Sequence, residues 1–158
     1  MKIAAFLVFN AILLFPCPAF PQAQSLGPKD TFAAARLSAT EVRQIIAGVE
    51  QLAYDTPDSW SEELRAKRVN LGSSPGLVLQ GTKLLCGGTG NCQVFVFRNA
   101  NNRWVSLFGD EQAPLAEAFQ LGPGVTRGIK DFTVTANSSA EAGQRVTYKF
   151  DGKFYRSK

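Results

Sequence analysis

The sequence predicts an α+β fold: an N-terminal amphipathic helix packed on a mainly antiparallel β-sheet, with one disulfide-closed loop. Three observations carry that prediction. Helical periodicity occurs once, in the stretch that starts at Ser38. After Asp58 the apolar residues alternate in short runs separated by Gly, Pro and Asn clusters, which is the pattern of strands and turns. Beyond the first 23 residues only two cysteines remain, Cys86 and Cys92, with Gly87, Gly88 and Gly90 between them.

The chain opens with Lys2 and an apolar run from Ile3 to Phe15, then Pro16, Pro18 and Pro21. That is the pattern of a secretory signal peptide over residues 1–23, cleaved after Ala23. The run is too short for a comfortable membrane span. Phe15 and Pro16 before Cys17 are too bulky and rigid to suit lipidation at that cysteine. Cleavage removes Lys2 from the 17 basic residues, leaving 16 against 13 acidic ones, a net charge of +3.

Residues 24–37 show no sustained period and are expected to be a flexible lead-in to a single domain over 38–158. At Ser38 the sequence Ser-Ala-Thr-Glu fits a capping box, in which Ser38 and Glu41 satisfy each other's amides. Val42, Ile45, Ile46, Val49 and Leu52 follow at helical spacing, so a helix is expected to about Tyr54, stopped by the Asp-Thr-Pro-Asp-Ser run after it.

Strands are expected over 64–71 and 77–82, joined by a turn at Gly72 to Gly76, and over 93–99 and 103–109, joined through Asn101 and Asn102. Val94 and Val96 on one face, with Phe95 and Phe97 on the other, mark the central and doubly covered strand. Further strands are expected over 118–124, before a Pro-Gly break, and over 130–136 and 144–150. Asp151-Gly152 then predicts a two-residue hairpin turn into 153–158. In that register Phe150 faces Lys153, Lys149 faces Phe154, Tyr148 faces Tyr155 and Thr147 faces Arg156.

In an oxidising compartment Cys86 and Cys92 are expected to pair. Their spacing is not Cys-x-x-Cys, and no neighbouring cation or helix start favours a reactive thiolate, so the bond reads as a staple. The intervening Gly-Gly-Thr-Gly-Asn lacks the Gly-Lys-Ser/Thr ending of a phosphate loop.

Three segments resemble those of small secreted bacterial proteins of uncharacterised function. They are Val69 to Arg98 with its Cys-Gly-x-x-Gly-Asn-Cys clasp, Gly128 to Val134, and Tyr148 to Arg156 with a Tyr-x-Phe-Asp-Gly-Lys-x-Tyr-like hairpin. The likeness departs at Asn70, Arg127, Ile129, Phe132 and the Phe154-Tyr155 pair. It implies an exported α+β domain and no particular activity. Some proteins with a similar first strand continue into an Asp-rich calcium turn. The matching positions here, Asn70, Gly72 and Ser74, carry no carboxylate.

The chain has no histidine, so Ser-His and Cys-His nucleophile pairs and His-bearing metal sites are excluded. No cofactor or metal is expected, and the mild net charge does not suggest nucleic acid as a partner. Asp110, Glu111, Glu117 and Asp131 are the carboxylates that a hydrolase would need to bring together. Asn137-Ser138-Ser139 fits a glycosylation sequon but reads as a polar turn. The remaining directional feature is the last hairpin, whose wet face is expected to present Arg145, Lys149, Phe154 and Arg156. These readings favour an exported non-enzymatic module, an inhibitor among the options, binding an unknown protein or an anionic envelope component without a membrane span. The alternatives are a carboxylate-dependent hydrolase and a structural envelope protein.

Overall fold

The computed structural model describes residues 23–52, 60–109 and 112–158. The expected signal peptide, the expected helix stop at Asp55 to Ser59, and Asp110 and Glu111 lie outside the described residues, apart from Ala23.

Helix α1 spans Ala39–Glu50. Its start is the capping box: the Ser38 hydroxyl accepts from the Glu41 amide at 3.3 Å, and the Glu41 carboxylate accepts from the Ser38 amide at 2.8 Å. Ile45 and Val49 are fully buried. Gly48 brings the helix down onto the sheet, since a Cβ there would lie 2.7 Å from the Phe97 ring. The helix ends at Glu50, a turn earlier than expected, and residues 24–37 precede it, so it is not the first packed segment of the chain.

Nine strands follow among the described residues: β1 (Leu64–Asn70), β2 (Pro75–Gly81), β3 (Cys92–Ala100), β4 (Arg103–Ser106), β5 (Leu115–Ala116), β6 (Ala118–Thr126), β7 (Ile129–Ala136), β8 (Gln144–Phe150) and β9 (Tyr155–Ser157). Every pairing is antiparallel. The strands form two sheets where one was expected: β1-β2-β3-β4, with β5 also on β3, and β6-β7-β8-β9. The division arises because β3 is long enough to use one edge twice. Its Phe97–Ala100 half pairs with β4 and its Cys92–Gln93 end pairs with β5. From β5 the chain runs through Glu117 directly into the second sheet.

The sheets share one core. Val94, Phe95, Val96 and Phe97 are all fully buried, as their alternation predicts for a central strand. Phe108 joins the layers, with its ring 6.4 Å from Phe132, 5.4 Å from Tyr148 and 5.9 Å from Tyr155. The Tyr155 amide donates to the Leu107 carbonyl, tying β9 to the segment after β4.

The Asn101-Asn102 turn forms as expected, both residues at positive φ, with Ala100 opposite Arg103. The expected Pro-Gly break at Pro123-Gly124 is instead part of an irregularity inside β6, between Leu121 and Val125, and the chain reverses at Arg127-Gly128, both at positive φ. Residues 24–37, expected to be a flexible lead-in, lie against the sheets. Gln24 exchanges both backbone hydrogen bonds with Phe119, the Leu26 amide donates to the Gln80 side chain at 2.7 Å, and the Ala66 amide donates to Asp30. Lack of periodicity does not prevent backbone pairing with an open strand edge.

Candidate binding face

The second sheet has one core face and one wet face. On β8 the alternation places Phe150, Tyr148 and Val146 inward, while Arg145 and Lys149 are exposed on the other side. Tyr155 on β9 is fully buried, and its hydroxyl donates to the Lys130 carbonyl at 2.7 Å. Burial pushes its phenol pKa up, aided by the charge of Asp131.

The last hairpin has a different register from the expected one. Phe150 faces Tyr155, Lys149 faces Arg156 and Tyr148 faces Ser157. The connection is therefore four residues, Asp151 to Phe154. The cause is the Asp151 side chain, whose Oδ1 accepts from the amides of both Lys153 and Phe154 at 2.7 Å and stabilises the wider loop. Gly152, at φ +112°, supplies the left-handed residue the loop needs. Because the shift is by two residues, the side chains that pair in β8 and β9 keep their faces. Arg145, Lys149 and Arg156 still share the wet side.

Phe154 has a different role from the exposed ring expected. It is half-buried, lies over Gly109, and is covered by Lys153, 4.8 Å from the ring centroid, and Arg156 at 5.6 Å. It is a base for cations rather than an aromatic contact surface.

Each cation of the face has a neighbour on its own surface. Arg145 donates to the Gln120 side chain at 3.2 Å, Lys149 lies 3.8 Å from Asp131, and Arg156 donates to Asp151 at 3.1 Å. Solvent screens contacts as exposed as these, so they orient the side chains without locking the charges away. The turn adds Lys153 and Arg127, whose guanidinium donates to the Asp151 carbonyl. Five cations, Arg127, Arg145, Lys149, Lys153 and Arg156, thus share this surface with two carboxylates, Asp131 and Asp151. The Phe154 and Lys153 amides, and then Arg156, hold the Asp151 carboxyl at about 2. Hydroxyls fill the surface between the cations: Thr133 and Thr147 sit opposite one another with their oxygens 3.0 Å apart, and Thr135 faces Arg145.

Other expected sites are placed as follows. Cys86 and Cys92 form the disulfide. In its loop the amides of Gly87 and Gly90 donate to Asn91 and Gly87, so those two are turned inward rather than toward a ligand. Buried Asn91 holds the loop against the β7–β8 connection by donating to the Asn137 carbonyl and accepting from the Asn137 amide at 2.9 Å. Asn137 in turn donates to Glu117 and accepts from Gly143, so the sequon side chain is engaged as a turn element. Asp131 accepts from Thr126 at 2.6 Å. Glu117 lies beside Thr135, a backbone spacing of about 13 Å from Asp131 along β7, and its carboxylate accepts from Asn137, on the far side of Thr135 from Asp131. Paired glycosidase carboxylates stand about 5–9.5 Å apart, so Glu117 and Asp131 are not such a pair. Asn70 accepts from the Gly72 amide, closing the turn on itself. Among the described residues no three His, Cys, Asp or Glu side chains converge as metal ligands, and no helix is long and apolar enough to cross a membrane.

Sequence reasoning missed Arg127 and Lys153 as parts of the basic surface. The Arg-Gly dipeptide at 127–128, a turn signal between two alternating runs, could have placed Arg127 beside the final hairpin. Compared with protein-family models, curated proteins and solved structures, the chain has no match.

Proposed function

We propose that this protein is an exported, non-enzymatic binding module that docks a negatively charged partner on the wet face of β8 and β9. The observation that supports this reading most is the grouping of Arg145, Lys149 and Arg156 on the solvent side of a hairpin whose other side is core. Their neighbours Arg127 and Lys153 carry the positive surface around the turn. Long-range attraction of this kind steers encounter and raises the association rate.

The test is charge reversal at Arg145, Lys149 and Arg156 to Glu, with retention on an immobilised polyanion, dextran sulfate, measured at low salt. Exposed strand positions tolerate such changes within about 0.5 kcal/mol each, so the variant is expected to keep its melting temperature and lose retention. Retention equal to that of the unchanged protein would refute the reading. Export is tested separately by the intact mass of the secreted chain, expected to begin at Gln24 without lipid; an acylated Cys17 or a retained leader would refute it.

A further inference from the structure

Resting on that reading, we infer that the partner is an anionic polysaccharide, laid across the β7–β8–β9 face and round the Asp151 to Phe154 turn. Three features of the face separate this ligand from an acidic protein.

The first is what the face lacks. Protein interfaces draw most of their affinity from a few anchors, Trp, Tyr and Arg above all, set in a desolvated centre that apolar and aromatic side chains keep dry. The strongly exposed apolar side chains of the described residues are Leu84, Val105, Leu115 and Val125, none of them on β7, β8 or β9. Phe154, the one aromatic side chain at the turn, is lodged on Gly109 beneath Lys153 and Arg156.

The second is what lies between the charges. Thr133, Thr135, Thr147 and the Gln120 amide are short hydrogen-bonding groups on a sheet surface, held at strand spacing. A polysaccharide offers matching hydroxyls along its length, whereas an acidic peptide offers carboxylates and few hydroxyls. Fixed Thr hydroxyls can both donate to and accept from such a chain.

The third is the layout of the cations. Arg145 and Lys149 stand four residues apart on one strand, about 13 Å. Arg156 stands beside Lys149 on β9, directly opposite it, and Lys153 and Arg127 extend this group over the turn. A group of cations at the turn with Arg145 about 13 Å further along β8 spans more than one anionic group, as a chain of repeated charges offers and a single phosphate or carboxylate does not.

The experiment measures affinity for four probes at low salt: polygalacturonate, dextran sulfate, polyglutamate and phosphatidylglycerol vesicles. Two variants accompany the unchanged protein. Arg127→Gln with Lys153→Gln removes the turn cations, and Thr147→Val removes a hydroxyl at nearly constant shape. Polygalacturonate is expected to bind at least tenfold more tightly than polyglutamate. The turn variant is expected to weaken both polysaccharides about fivefold, and Thr147→Val to weaken polygalacturonate about threefold while leaving polyglutamate unchanged. Melting temperatures confirm that each variant is folded. Equal affinity for polyglutamate and polygalacturonate, or preference for vesicles, would overturn the polysaccharide assignment while the basic-face reading stands. Full affinity in the turn variant would overturn the extended footprint. Failure to bind any of the four probes would overturn both readings.

Discussion

Glu41 and Asp151 are both carboxylates held at about 2 by backbone amides, assisted by an arginine, yet they organise different amounts of structure. Glu41 closes the capping box with Ser38, accepts from the Trp104 indole at 3.0 Å and from Arg68 at 3.3 Å, and so joins α1 to β4 and β1. Arg68 is also stacked over Trp104, 5.5 Å from the ring centroid. The Asp151 carboxylate accepts from Lys153, Phe154 and Arg156, all within five residues of it. Equal chemistry at the carboxylate therefore says little about consequence. What separates them is the sequence distance of the groups that donate to each one.

The largest way to break this contrast is Trp104→Ala, which removes the floor under Arg68 and a buried ring at 6 % exposure. It is expected to cost about 3–5 kcal/mol in denaturant unfolding. A cost below about 1 kcal/mol would show that the helix corner is not a structural junction. Replacing Cys86 and Cys92 by Ser opens a short local loop and is expected to cost about 2 kcal/mol, read from the shift of the denaturant midpoint. Binding to dextran sulfate should survive that change, because the clasp lies outside the basic face.

Glu41→Ala comes next, at about 1–2 kcal/mol for a lost cap and lost charge-assisted bonds, again by denaturant unfolding. Asp151→Ala should move the melting temperature much less. Its effect should appear as faster amide exchange at Lys153 and Phe154, confined to the hairpin. A global loss equal to that of Glu41→Ala would erase the distinction between the two carboxylates.

Acid gives the finest separation. Both groups have folded pKa values below their unfolded ones, so each contributes stability that is present above its unfolded pKa and lost as pH falls through its folded value. For Glu41 the window runs from 4.5 down to about 2, and for Asp151 from 3.8 down to about 2. Melting curves of the unchanged protein and Glu41→Ala should therefore converge as pH falls from 4.5 toward 2. A difference that stays constant over that range would show that the carboxylate charge is not what the corner uses.

The same contrast explains how much was legible beforehand. Ser38 and Glu41 are three residues apart, and their box could be read directly from the sequence. That Glu41 also holds Arg68 and Trp104 could not, because those contacts depend on how β1 and β4 are brought together. Alternation gave the faces of β3 and β8 correctly, since a period of two survives any even shift of register. Asp-Gly suggested the tightest hairpin, but Asp151 acts through its side chain on the amides two and three residues on, a competing use of the same residue. Dividing the strands into two sheets depended on β3 pairing twice along one edge, and β5 is too short to announce itself. Gln80 and Asn91 were also missed: a buried amide is recognisable only once its partners are in place.

Residues 24–30 do more than occupy space beside the domain. One outer strand of the first sheet is β1 and one of the second is β6, and a strand at the end of a sheet offers open amides and carbonyls to any other chain that meets it. Gln24 engages Phe119 on β6 and Asp30 receives the Ala66 amide of β1, so one short segment blunts an outer edge of each sheet. Taking it away would strip Leu26 from the margin of the core and present two fresh templates for strand addition. The fault to expect in a chain shortened to begin at Thr31 is accordingly self-association, seen as concentration-dependent growth in light scattering, before any loss of the fold itself.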